Sequence, residues 1–310
     1  IYFKREGIKI KSTGFAFLGP FLAFFVEPDE KKMQKMKIRK QLAAISAGGF
    51  ANILMTILFF IIMVVFFSLV FVKAGVIFST YSYGVINSSQ IDSFGKNLIA
   101  DGMNLTEIRV NNQTFYIPTN QKDSSGLLLA YFDSPALKSG LQGAIIQIDD
   151  QKIRDSVDLR RILDMKKPND TINVKTLLAN NSMQEYTLQG KPGNLTQAYI
   201  GIALPSAYSS STFMGKLRGK ITFFKSPDTY YKPRINGDFV IFIYNLLWWM
   251  VLINLSVALG NMLPLGIFDG GRFFYLTILG LTKSEKIAKR AFKISTAILL
   301  AAFVLLIVLW

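Results

Sequence analysis

Three stretches of the chain are almost wholly apolar, and they divide it. From Gln41 to Val72 no side chain is charged, and Ile53–Val72 is nearly all Ile, Leu, Val, Phe and Met. About twenty such residues cross a hydrocarbon core as a helix, so this stretch predicts a span with length to spare. A second uncharged stretch runs from Phe239 to Phe268, and a third follows Lys293 to Trp310, barely long enough to cross. Before the first span, Ser12–Val26 is apolar but too short. It carries Gly14, Gly19 and Pro20 among five phenylalanines. Gly-Pro in such a run resists a helix and favours extended pieces joined by a turn. Extended backbone cannot face lipid unsatisfied, which leaves a hairpin buried beside the helices or an amphipathic surface segment.

Between the first two spans the pattern changes. Residues 126–190 alternate short apolar runs with turn signals: Gly126–Phe132, Ile145–Ile148 and Ile172–Leu178 read as strands. Ala136–Leu141 reads as a short helix with Ser134 as cap and Pro135 at its first position, and Val157–Met165 as a second helix. This order, with Ser134-Pro135-Ala136 and Ser139-Gly140-Leu141, resembles a PDZ domain of membrane-associated proteases. That family usually has Gly-Asp after the short helix, where this chain has Gly143-Ala144. Tyr199-Ile200-Gly201-Ile202 reads as a strand returning to the membrane, and its four residues also resemble the carboxylate-binding loop of some PDZ domains. Residues 206–238, rich in Ser, Lys and Tyr, read as a juxtamembrane linker.

Composition sharpens this picture. The 310 residues are 51% hydrophobic, too apolar for one soluble domain and too polar for a bare helix bundle. There is no cysteine and no histidine, so disulfides and thiolate sites are excluded and carboxylates and amides must carry polar chemistry. The net charge of +15 is concentrated in connectors: Lys31, Lys32, Lys35, Lys37, Arg39 and Lys40 before the first span, and Lys283, Lys286, Lys289, Arg290 and Lys293 after the second. The positive-inside rule puts both on the cytoplasmic side and 73–238 outside. The charge therefore reads as topology in a lipid bilayer, and no aromatic-basic signature predicts a nucleic-acid partner.

The second span is broken at Gly260-Asn261-Met262-Leu263-Pro264-Leu265-Gly266, followed by Phe268-Asp269-Gly270-Gly271-Arg272. A proline at membrane depth frees a carbonyl, which is tolerated where the break lines a polar cavity. The Asn261 amide and the Asp269 carboxylate are the candidate chemical groups; a salt bridge from Asp269 to Arg272 is the alternative role.

Asn261-x-x-Pro264 with Phe268-Asp269-Gly270-Gly271 is similar to the Asn-Pro…Leu-Asp-Gly-Gly motif of the site-2 protease family of intramembrane zinc metalloproteases. Phe24-Phe25-Val26-Glu27 resembles that family's Ala-Phe-Val-Glu strand. Ser46–Asn52 resembles its Ala-Gly-Pro-x-x-Asn helix, with Gly49 in place of Pro. The family's His-Glu-x-x-His helix is expected to end just before Ile1, because Arg5-Glu6-Gly7 resembles the sequence that follows it.

The resemblance implies a polytopic α-helical membrane protein with a membrane-embedded β-hairpin near the N-terminus and an inserted extracytoplasmic PDZ-like α/β domain. The expected divisions are 1–41, a span at 42–72, an outer region 73–238 with the PDZ-like part near 126–202, a broken span 239–282 and a last span 291–310. It implies Asp269 as a zinc ligand, Asn261 as a catalytic hydrogen-bond donor, and Asn52, Phe24, Phe25, Val26 and Glu27 as substrate contacts. An interhelical hydrogen bond is the other role open to Asn52. The implied substrates are transmembrane segments of other proteins, with peptide or protein termini as partners of the PDZ-like domain. An inactive PDZ-bearing membrane adaptor is the alternative. A transporter would carry a paired interruption in an inverted repeat, and no second copy of the Asn-Pro-Asp pattern is found.

Overall fold

The computed structural model describes residues 10–18, 21–121, 126–192, 198–205 and 212–309. The chain divides into two compact units, Ile1–Phe67 with Ile241–Trp310, and Ser68–Val240.

In the first unit the Phe-rich segment forms two antiparallel strands, β1 (Ile10–Leu18) and β2 (Phe21–Pro28), paired with Phe15 opposite Phe24 and Thr13 opposite Val26. A short helix α1 (Glu30–Gln34) follows, capped by the Asp29 carboxylate. Helix α2 (Ile38–Val70) is the first apolar stretch. Gln41, 5% exposed, donates from Nε2 to the carbonyls of Gln34 and Met36, so a polar residue near the start of α2 closes the open end of α1.

Past the insert come α6 (Gly237–Asn261), α7 (Asp269–Thr282) and α8 (Glu285–Val308). Among the described residues α2, α6 and α8 are the three helices long and apolar enough to cross a membrane. The first span thus starts earlier than residue 42 and ends at Val70; Phe71 and Val72 belong to a strand. The segment 239–282 is two separate helices, and the basic connector after it shrinks to Lys283 and Ser284, with Lys286–Lys293 in the first turns of α8. Helices α2 and α6 meet where the Phe67 and Tyr244 rings lie 5.7 Å apart, and Trp248 Nε1 donates to Tyr244 Oη one turn along.

The second unit is largely β. Its strands in chain order are β3 (Phe71–Val76), β4 (Thr80–Tyr81), β5 (Tyr83–Asn87), β6 (Ser93–Ala100), β7 (Met103–Val110), β8 (Gln113–Pro118) and β9 (Leu127–Phe132). Helix α3 (Pro135–Ser139) leads to β10 (Ala144–Ile148) and β11 (Gln151–Lys152), and helix α4 (Ser156–Asp164) to β12 (Thr171–Leu177) and β13 (Met183–Gln189). The pieces β14 (Lys191–Pro192), β15 (Ala198–Tyr199) and β16 (Ile202–Ala203), helix α5 (Phe213–Ile221) and β17 (Thr229–Pro233) complete it.

One antiparallel sheet has the order β13-β12-β10-β3-β17, with β11 on β10. Alternate residues Ile172, Val174 and Thr176 of β12 are buried, as one covered face requires. The other large sheet runs β5-β9-β8-β7-β6. Ile108, Phe115, Ile117, Leu128 and Ala130 form a core on one of its faces. Leu105 and Tyr116 join the main core with Leu137, Ile145, Ile148 and Ile172.

The domain reading of 126–202 is redrawn by this topology. Strand β9, read as the first PDZ strand, pairs with β5 and β8 in the second sheet, whereas β3 and β17, outside 126–202, enter the first. Ser134 holds the cap position of α3, but its buried hydroxyl makes no hydrogen bond. Nor is 206–238 a plain linker: it holds α5 and β17.

Candidate active site

Helix α6 ends at Asn261 because Pro264 cannot continue it and the backbone turns back in short steps. Leu263 N–H bonds the Gly260 carbonyl at 3.1 Å, Leu265 N–H that of Leu263 at 2.8 Å, and Phe268 N–H that of Leu265 at 3.0 Å. Helix α7 then begins at Asp269, with Phe268 in extended conformation at the cap position.

The turn rests directly on the first residues of α7, and the two glycines make this approach possible. A Cβ on Gly270 would stand 2.5 Å from the Leu263 carbonyl oxygen and closer still to the Met262 carbonyl. A Cβ on Gly271 would stand 2.7 Å from the Leu265 carbonyl carbon. Real Cβ atoms essentially never come so near. The Asp-Gly-Gly sequence is thus a packing requirement: the carboxylate is carried on the one helical turn with no side chains under the loop.

Two further helices brace the loop. Thr296 of α8 donates from Oγ1 to the Pro264 carbonyl at 3.0 Å, which occupies an acceptor left open by the break. From α2, Gly49 touches the loop: a Cβ there would lie 2.7 Å from Met262 Cε. Asn52 is three residues on from Gly49, on the same helix face, and is half-buried. The small-residue patch of α2 is thereby resolved into parts. Ala44 and Gly49 are buried, Ala51 is exposed, and Gly48 faces open space.

Asp269 is exposed and Asn261 half-buried. Neither side chain has a hydrogen-bond partner among the described residues, and no ion pair joins Asp269 to Arg272, so the salt-bridge role is not realised. Sequence reading missed Thr296 and the Gly49–Met262 contact. A hydroxyl in the apolar run of α8 was the only signal for the first, and the second depends on how the helices meet.

Phe24, Phe25, Val26 and Glu27 lie together in β2, opposite Phe15, Gly14, Thr13 and Ser12 of β1. Among the described residues no third strand pairs with β2. In the second unit, a groove of about 360 Å³ runs between α4 and residues 198–204, lined by Leu159, Arg160, Leu163, Ile200, Gly201 and Ile202. Its strand side is anchored through carbonyls: Ala136 N–H bonds Ile200 and Ser82 N–H bonds Gly201, both at 2.9 Å.

These features define a polytopic membrane protein with a polar centre built into an interrupted helix. The family model of Peptidase family M50 matches residues 1–306, nearly the entire chain. The chain belongs to that family, the site-2 protease family of membrane metalloproteases, which is zinc-dependent in general. Comparison with curated proteins returns no match.

Catalytic zinc takes three protein ligands and leaves one position open. The donors present do not make up that set. Among the described residues no three His, Cys, Asp or Glu side chains converge, and the sequence holds neither imidazole nor thiolate. Asp269 fits the part of one ligand: an exposed carboxylate with no partner, on a turn whose position is fixed from three sides.

Proposed function

We propose that this protein hydrolyses peptide bonds within transmembrane segments of membrane-protein substrates, with Asp269 as a metal ligand and Asn261 as a catalytic donor. The observation that carries the proposal is the carboxylate at the helix break. On this reading the break lies at membrane depth, where an unsatisfied ionisable group is costly and persists where function requires it, and two glycines, a threonine and a packed methionine all serve to hold its turn.

The chain's own residues suggest how a substrate is handled. A transmembrane substrate arrives as a helix with its carbonyls paired, so cleavage needs local unwinding. The unpaired edge of β2 offers backbone partners to the freed strand, and Phe24–Glu27 would supply them. The Asn261 amide donates to the scissile carbonyl oxygen as it takes on charge, a contribution worth roughly a hundredfold or more in rate. Asn52, on the α2 face that meets the loop, contacts the substrate backbone beside it. Zinc, held in part by Asp269, would supply an activated water.

Outside the membrane, the groove between α4 and 198–204 accepts the terminus of a protein or peptide, and this PDZ-like part admits substrates already trimmed. The basic residues of 31–40 and 283–293 face the cytoplasm and 73–238 the other side.

The test expresses the protein from its natural reading frame, with and without Asp269→Asn, and measures bound zinc and cleavage of a transmembrane reporter. Stoichiometric zinc and cleavage, both lost in the variant, are expected. Zinc-free protein of native stability, or cleavage unaffected by Asp269→Asn, would refute the assignment and favour the adaptor.

A further inference from the structure

We propose that α5, Phe213–Ile221, lies in the interface of the membrane that the neighbouring helices cross, its apolar stripe among the acyl chains and its flanking cations on anionic headgroups. The helix is locally specified: Thr212 Oγ1 accepts from Gly215 N–H at 3.2 Å as an N-cap. Yet it buries nothing. Phe213 is 77% exposed, Met214 68%, Leu217 40% and Ile221 38%. At 3.6 residues per turn these four fall within an arc of about 100°. Lys216, Arg218 and Lys220 occupy the rest of the circumference together with Gly215 and Gly219. A narrow apolar stripe flanked by long cations is the pattern of a helix lying flat on a membrane, where the cations snorkel to the headgroups.

Charge commits the surface to anionic lipid. From Ser206 to Pro227 the chain carries Lys216, Arg218, Lys220 and Lys225 and no acid. On the outer side, where the proposed topology puts this segment, the positive-inside bias gives no reason for four cations.

Reach allows it. Strand β17 pairs with β3 so that Pro233 lies opposite Phe71, and Arg234 N–H bonds the carbonyl of Val70, the last residue of α2. Both spans therefore leave the membrane at this point. The five residues of β17 rise about 17 Å from it. The stretch from Ile221 to Thr229 folds into two turns, Lys225 N–H bonding the Thr222 carbonyl at 2.9 Å and Thr229 N–H that of Ser226 at 3.2 Å. With each turn less than about 7 Å across it spans at most about 22 Å, enough to bring α5 back to the bilayer surface.

The absence of cysteine makes a clean test available. Single spin labels at F213C, L217C and I221C on the stripe, and at K216C and G219C off it, are placed in the full-length protein. The protein is reconstituted in phosphatidylcholine vesicles with and without phosphatidylglycerol. With the anionic lipid, stripe labels should be reached by oxygen and report a depth of about 5–10 Å, while labels at 216 and 219 are reached by a water-soluble nickel chelate. Omitting phosphatidylglycerol, or introducing K216E/R218E/K220E, should move the stripe labels into water. Stripe labels that the chelate reaches in anionic vesicles would overturn the proposal. So would labels shielded from both probes, which would mean that protein covers the stripe, and so would a depth indifferent to lipid charge and to charge reversal. None of these readings depends on proteolysis.

Discussion

Replacing Gly270 by alanine adds one methyl group under the loop that carries the proposed active centre. To reach ordinary contact at 3.4 Å from a position 2.5 Å away, the Leu263 carbonyl oxygen must retreat about 0.9 Å, and the Met262 carbonyl farther. Both are backbone atoms, so no side chain can swing aside, and the turn is held on its far side by the Thr296 hydrogen bond. Overpacking of this kind costs about 1–3 kcal/mol. A displacement near 1 Å in a catalytic constellation lowers rate about a hundredfold. Gly270→Ala should therefore cut cleavage of a transmembrane reporter about a hundredfold while Asp269 remains in place, and lower the thermal stability of the purified protein. Controls lie on the helices that flank the loop: a Cβ at Gly48 of α2 or Gly260 of α6 meets nothing within 4 Å. Alanine there should be neutral or stabilising by up to about 1 kcal/mol, since glycine is the poorer helix former. Wild-type turnover and stability in Gly270→Ala, or equal damage from Gly48→Ala and Gly260→Ala, would refute the reasoning.

Three further outcomes are expected. Thr296→Val leaves the Pro264 carbonyl without its donor; a loss of about 0.5–1.5 kcal/mol with reduced cleavage and unchanged metal content should appear in thermal melts and reporter assays. Successive residues of a strand direct their N–H groups to opposite edges, so of Phe24→Pro and Phe25→Pro one disrupts the hairpin and the other strips only the outer edge of β2; both should impair cleavage with zinc still bound, and full cleavage in both would remove β2 from substrate binding. The Asp155 carboxyl is held below the usual carboxylate range, first by the hydrogen bond from Lys73 Nζ at 2.8 Å and then by the N–H groups it caps on α4. A depressed folded value stabilises above the unfolded value near 3.9 and is lost as pH falls through the folded one; wild-type stability should thus fall between about pH 5 and 2 more steeply than that of Asp155→Asn, and parallel curves would contradict this.

The apolar stretches that became α2, α6 and α8 were legible because about twenty uncharged residues in a row have few other uses. The Phe-rich strands were legible because Gly19-Pro20 forbids a helix. The sheet β5–β9 was not read, although its turns were signalled. Asp101-Gly102 and Asn111-Asn112, all at positive φ, close hairpins whose flanking pairs are Ala100–Met103 and Val110–Gln113. Short strands with polar residues on their open face hide such a pattern. Asn169 and Asn181 also stand at positive φ, a conformation asparagine adopts more readily than most residues.

For the centre itself, residue types and spacing sufficed to single out Asn261, Pro264 and Asp269, because a proline and a carboxylate in an apolar run conflict with a plain membrane helix whatever surrounds them. Why two glycines follow the aspartate, which residue of α2 meets the loop, and that a threonine 32 positions away holds the proline carbonyl are different in kind. They depend on which backbone atoms come within a methyl group's width of each other, and distances between segments far apart in the chain are set only when the helices pack.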